Sequence, residues 1–146
     1  MYIKRIELRL LREKTVPYGG SINSAANVYE MFSWLSNNVQ EEIHALYLDA
    51  KNRVVGYYQV AKGSNNSAHI KAADVVRPAL LLNATSFLLV HNHPSGDPEP
   101  SREDRLITDV IKKAAEIFGI TLLDHIVIGD GRFKSLAEEG YFKRLT

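Results

Sequence analysis

The chain contains no cysteine. Disulfides and thiolate metal sites are therefore excluded, and a reducing compartment is permitted. Long apolar runs are also missing. None approaches the roughly 18 residues that a membrane-spanning helix needs. The opening residues, Met1-Tyr2-Ile3-Lys4-Arg5-Ile6-Glu7, carry charges throughout and offer no apolar core of a secretion signal. A cytoplasmic protein with no membrane partner is the expectation. A dominant charge sign is absent too: the net charge is +1, so no global field draws the chain to nucleic acid. No internal repeat, low-complexity segment or domain linker interrupts it. What remains is 146 residues, 45% hydrophobic, enough for one domain with one core.

The pattern alternates between strand and helix. Ile6, Leu8 and Leu10 alternate with Glu7 and Arg9, as in a strand with one buried face. Pro17-Tyr18-Gly19-Gly20 breaks it. Ser24 can cap a helix whose apolar positions are Val28, Met31, Phe32 and Leu35, with Asn37-Asn38 at its end. Residues 43–48 and 54–60 read as strands joined by a hairpin at 49–53. A polar loop over 62–67 precedes a helix over 72–83, in which Pro78 demands the first turn or a kink. Phe87-Leu88-Leu89-Val90 has the length of a buried strand. The helix from Arg102 to Phe118 shows Ile107, Val110, Ile111, Ala114 and Phe118 as its inner stripe, and Gly119 can close it. Residues 121–128 form a last long strand, which turns at Gly129-Asp130-Gly131 into Arg132-Phe133. The order predicts an α/β domain: one mixed sheet with helices packed on its faces.

The chemistry gathers between the strand at 87–90 and the long helix. His91-Asn92-His93-Pro94-Ser95-Gly96-Asp97-Pro98-Glu99-Pro100-Ser101-Arg102-Glu103-Asp104 holds two imidazoles, a serine and a carboxylate. In extended backbone His91 and His93 share a face and Asn92 takes the other. Two neutral imidazoles and a carboxylate are a common catalytic zinc set, with water in the fourth position. Gly96 permits a tight turn, and the prolines stiffen the loop between the ligands. Ser101-x-x-Asp104 also reads simply as a helix N-cap with an acidic third residue. That cap does not account for the histidines. His125, beside Asp124 in an apolar strand, reads as a structural histidine with Asp124 as its orienting partner or as an acceptor for a neighbour. His44 and His69 have no ligand partner at useful spacing and read as structural. Trp34 reads as core or edge packing. Lys112, Lys113, Arg102 and Arg105 read as a solvated helix face, not a nucleic-acid site.

His-x-His, seven residues, then Ser-x-x-Asp resembles the signature of the JAMM/MPN+ metalloproteases. The longer string from His91 to Arg105, with Gly119-Ile120-Thr121-Leu122-Leu123-Asp124-His125-Ile126-Val127-Ile128-Gly129, resembles the RadC branch in particular. The resemblance runs from about Gln40 to Phe142. It implies a JAB/MPN, cytidine-deaminase-like fold, with residues 1–39 preceding a metal domain over 40–146. It further implies that His91, His93 and Asp104 bind Zn²⁺. A glutamate from an upstream strand would serve as general base, and Ser101 would stabilise the tetrahedral intermediate. The glutamate is Glu41 or Glu42. Adjacent strand residues face opposite ways, so only one can reach the metal; the resemblance favours Glu41.

Two departures qualify it. Longer RadC proteins carry an N-terminal region resembling a helix-hairpin-helix DNA-binding module, and only about forty residues precede the metal domain here. Relatives also often open the helix before the metal strand with His-Pro-Arg-Glu, where this chain has Lys71-Ala72-Ala73-Asp74. Three functions follow. The first is a zinc hydrolase acting on a peptide or isopeptide bond of a peptide or protein substrate. The second is a metal-binding accessory protein of DNA repair, which the near-neutral charge does not favour. The third is a metal-stabilised interaction domain without turnover. Substrate and oligomeric state have no signature in the sequence.

Overall fold

The computed structural model describes residues 1–7, 20–63 and 70–142. Residues 1–7 take no regular structure and are exposed. The rest of the strand expected there, Leu8 and Leu10, lies outside the described residues. So do the break at Pro17-Tyr18-Gly19, most of the polar loop over 62–67, and His69.

Among the described residues five strands form one sheet: β1 (Glu42–Leu48), β2 (Val54–Lys62), β3 (Ser86–Asn92), β4 (Thr121–Ile128) and β5 (Phe133–Ser135), in the order β2-β1-β3-β4-β5. All neighbours are antiparallel except β3 and β4. A parallel pair needs a crossover, and the helix Arg102–Ile117 provides it. The other helices are α1 (Ala25–Phe32) and α2 (Ala72–Leu81), which makes the crossover helix α3. Ser24 caps α1 by accepting from the Asn27 amide, and a 3-10 turn, Ser33–Asn37, carries Leu35 into the core. Among the described residues no helix is long and apolar enough to cross a membrane.

Both faces of the sheet are covered, so β1 and β3 are buried along their whole length. The period of two divides each strand between two cores. Ala45, Tyr47, Phe87, Leu89 and Leu122 pack with Val75, Val76 and Ala79 of α2 and Ile111 and Ala115 of α3. Leu46, Leu48, Leu88, Val90, Ile126 and Ile128 pack with Val28, Phe32 and Leu35. On β4 the period is broken once. Phe87 pairs with Leu122, but Leu88 pairs with Asp124. Leu123 is thus an extra residue, a β-bulge. Before it Leu122 faces α2 and α3; after it Ile126 and Ile128 face α1. The bulge therefore turns His125 toward α3.

Two helices differ from their patterns. In α2, Pro78 is neither in the first turn nor beyond the end but inside the helix, which stops at Leu81, with Asn83 in the left-handed region (φ 51). In α3 the inner stripe is not the one that apolar spacing predicts. Val110 and Phe118 are exposed, and the buried line is Asp104, Thr108, Ile111 and Ala115. Two polar residues point inward because the first half of α3 lies over the chemical site.

Candidate metal centre

Three elements converge at one end of the sheet. β3 ends in His91 and Asn92, the chain before β1 brings Glu41, and Ser101 caps the start of α3. Pairing of Ile43 with His91 sets β1 beside β3 at this end. Glu41 shares the face of Ala45 and Tyr47, and hence of His91. Glu42 faces the other way. Its carboxylate meets Asn38, His44 and Gln59 on the α1 side.

Asn92, between the two histidines, closes the strand end. Its Oδ1 accepts from the Glu42 amide at 2.8 Å, and its Nδ2 donates to the Gln40 carbonyl at 3.0 Å. One side chain thereby holds the backbone on both sides of Glu41. The loop after β3 folds back through a turn at Gly96 (φ 87), whose amide donates to the His93 carbonyl. The Asp130 amide donates to the Gly96 carbonyl at 2.8 Å. This approach needs Gly129, since a Cβ there would lie 2.4 Å from that oxygen.

Ser101 forms a reciprocal cap with Asp104. Its Oγ accepts from the Asp104 amide at 3.0 Å, and its own amide donates to Asp104 Oδ2 at 2.8 Å. The box fixes the Asp104 carboxylate toward the histidines. Asp104 Oδ2 lies 3.1 Å from His93 Nε2 and 3.3 Å from His91 Nε2, and these two nitrogens are 2.9 Å apart. Glu41 Oε1 is 3.6 Å from His91 Nε2. The ligand atoms of all four residues lie within 4.8 Å of one another, a grouping that can hold a metal ion.

The donor chemistry fits such an ion. His93 Nδ1 is 2.8 Å from the Asp97 carbonyl, which only accepts. A neutral His93 therefore carries its hydrogen on Nδ1 and presents a bare Nε2. Asp104 Oδ1 is buried without a hydrogen-bond partner among the described residues. Donors about 2.0–2.1 Å from a tetrahedral zinc stand roughly 3.3 Å apart, close to the triangle of His91, His93 and Asp104. His91 and Asp104 are sealed from solvent, whereas the side chains of His93 and Glu41 keep 16% and 19% of their exposure. The group is therefore open on one side.

Protonation follows the same geometry. Burial opposes ionised Asp104, but its contacts with His91 and His93 and the Ser101 amide outweigh this and hold it well below the usual carboxylate range. Burial likewise disfavours charged His93, and the Asp104 carboxylate and Asp97 carbonyl overcome it and raise its pKa. His125 is different. Burial, with His91 beside it, holds it far below the ordinary imidazole value.

Each described residue that the sequence singles out for the site has its place. His91, His93, Asp104 and Glu41 are together, Ser101 caps the helix beside them, and Glu42 is on the opposite face. His44 is buried against Tyr57, with ring centroids 5.4 Å apart. Trp34 sits at the rim of the same aromatic group. Asp124 is not the ring partner of His125; its carboxylate accepts from Ser135 and from the amides of His125 and Ala137. The His125 ring instead meets His91 and Thr108. Asn92, Thr108 and His125 are the residues of the site that spacing alone missed. The inward phase of Asp104, extended by one turn, would have found Thr108.

Residues 22–141 match the family described as RadC-like JAB domain. The chain is 42% identical over 123 residues to a UPF0758 protein of Methanosarcina mazei, covering 84% of this chain and 54% of that protein. Against the UPF0758 protein of Methanococcoides burtonii the identity is 43% over 121 residues, covering 82% and 53%. Against that of Geobacter sulfurreducens it is 41% over 133 residues, covering 90% and 58%. The chain thus spans little more than half the length of these relatives. The family match takes in the whole sheet, α1, α2, α3 and the four converging side chains: this chain belongs to the RadC-like JAB domain family.

Proposed function

We propose that the chain is the hydrolase domain of a zinc metallopeptidase that cleaves a peptide or isopeptide bond in a peptide or protein substrate. His91, His93 and Asp104 would hold the ion. When bound, zinc supplies a Lewis acid for the scissile carbonyl and lowers the pKa of water to about 7. Glu41 stands on the open side of the group. Its carboxylate takes a proton from the attacking water and returns it to the leaving amine. Ser101 uses its oxygen only as an acceptor in the cap. The hydroxyl hydrogen remains to donate to the carbonyl oxygen as it gains charge. Asn92 keeps Glu41 in place from behind, and the stiff loop keeps His93 in place from the side.

The observation that carries this reading is the close triangle of His91 Nε2, His93 Nε2 and Asp104 Oδ2, with a second carboxylate on its open edge. Two imidazole nitrogens and a carboxylate oxygen packed this closely are stabilised by a positive charge among them, and a metal ion supplies one while both histidines stay neutral. The test is metal content. Wild-type protein purified without chelator should hold one zinc per chain by elemental analysis, and His93→Ala should hold almost none. Equal zinc in the two proteins rejects the ligand set.

A further inference from the structure

His125 is wholly buried beside the proposed ligands, and the chemistry above makes no use of it. We infer that Thr108 and His125 are positioning residues, which fix the hydrogen of His91 on Nδ1 and so present its bare Nε2 to the metal. The purpose rests on the zinc reading above; the geometry does not.

The argument starts at the helix. Thr108 Oγ1 is 2.5 Å from the Asp104 carbonyl oxygen and 2.6 Å from His125 Nδ1. A carbonyl oxygen only accepts, so the single hydroxyl hydrogen of Thr108 goes to Asp104. Toward His125 the hydroxyl can then only accept, which requires a hydrogen on His125 Nδ1. A neutral imidazole has one ring hydrogen, so His125 Nε2 is bare. His91 Nδ1 lies 2.6 Å from it and must donate. The hydrogen of His91 is thereby assigned, and its Nε2 faces His93 and Asp104 as a lone pair. The opposite polarity fails at both ends. It sets the Thr108 lone pairs against a carbonyl at 2.5 Å, and it leaves a hydrogen on the nitrogen that must ligate.

The arrangement differs from that of His93, whose Nδ1 hydrogen goes to a backbone carbonyl. Metal-bound histidines commonly hand this hydrogen to a carboxylate or carbonyl. Here the acceptor is a neutral side chain, whose own state is set by a threonine one turn beyond a ligand on α3. One helical turn thus fixes both the Asp104 carboxylate and the tautomer of His91. The relay also needs the β4 bulge, which turns His125 to this face.

The test begins with metal-free wild-type protein carrying ¹⁵N-labelled histidine. Long-range ¹H–¹⁵N correlation is recorded at about pH 8, above the ordinary imidazole pKa of about 6.5. His125 and His91 should both carry hydrogen on Nδ1; hydrogen on Nε2 of either one overturns the inference. Zinc affinity is then measured by chelator competition. Thr108→Val keeps the shape and removes the hydroxyl, and its zinc affinity should fall about 10–100-fold, with mixed His91 tautomers. Thr108→Ser should restore both. Thr108→Val with wild-type affinity and tautomers overturns the positioning role. If the valine variant does not fold, the wild-type tautomers and the serine variant still decide. Wild-type protein that takes up no zinc but has both hydrogens on Nδ1 defeats the metal reading and supports the proton order.

Discussion

Asn92 offers a sharp test, because it touches neither metal nor substrate in this scheme. Asn92→Ala removes the acceptor of the Glu42 amide and the donor to the Gln40 carbonyl. Glu42 is buried, so its amide has no solvent to turn to. A buried unsatisfied donor costs about 1–3 kcal/mol. Gln40 is exposed, so its carbonyl can take water instead, and that loss is nearer the net value of about 0.5–1.5 kcal/mol. The sum is a destabilisation of about 1.5–4.5 kcal/mol, read by urea unfolding. The local signature is faster hydrogen exchange at the Glu42 amide. The functional one follows from Glu41, whose flanking backbone is no longer held. Misplacing a reacting group by about 1 Å can cost on the order of a hundredfold in rate. Turnover of a test peptide should therefore fall by at least about tenfold at unchanged zinc content. Wild-type stability together with wild-type turnover would refute the clamp.

Three further outcomes follow from the same geometry. Glu41→Gln keeps shape without basicity, so zinc content should stay at one per chain while hydrolysis disappears; loss of zinc instead makes Glu41 a ligand. Ser101→Ala should cost about 0.5–2 kcal/mol as a lost cap and about a hundredfold or more in turnover as a lost donor. Full activity in folded Ser101→Ala with zinc bound removes Ser101 from the chemistry. Burial lowers the pKa of His44 below 6.5 despite Glu42 beside it. The unfolded chain therefore binds that proton first, and stability present above about pH 6.5 declines as pH falls toward the folded value. Urea unfolding of metal-free protein at about pH 7.5 and pH 5.5, on either side of the ordinary pKa, should show a smaller loss in His44→Gln than in wild type; equal losses defeat the assignment.

The period-two reading located β1 and β3, and the His-x-His spacing put both histidines on one face. The Ser-x-x-Asp pattern likewise named both the cap and the carboxylate, since one capping box does both jobs. Other features were hidden for physical reasons. Apolar spacing misphased α3, because its inner line begins with Asp104 and Thr108, which a search for hydrophobic residues passes over. Arg105 reads as part of a solvated face, yet its guanidinium lies 4.7 Å from the Tyr141 ring centre. Asn92 points away from the histidines, and its partners are fifty residues distant in sequence. His125 reads as a structural histidine because it lies in an apolar strand with no ligand spacing to His91, and the ring contact between the two joins residues 34 positions apart. Strict alternation would also have given it the face of Val90 rather than that of His91.

The extra residue in β4 gives the strand slack at a single point. Leu122 and His125 both face α3, yet they stand three positions apart, a spacing that regular alternation assigns to opposite faces. Leu123 absorbs the difference as the unpaired residue of the bulge. Deleting Leu123 alone would leave Leu88 paired with Asp124 and Leu89 with His125, so His125 would keep its face and the ladder would become regular. A one-residue deletion between His125 and Ile128 has no such slack, and it would turn the residues after it to the opposite face. The bulge is thus where β4 can shorten by one residue without reversing a face.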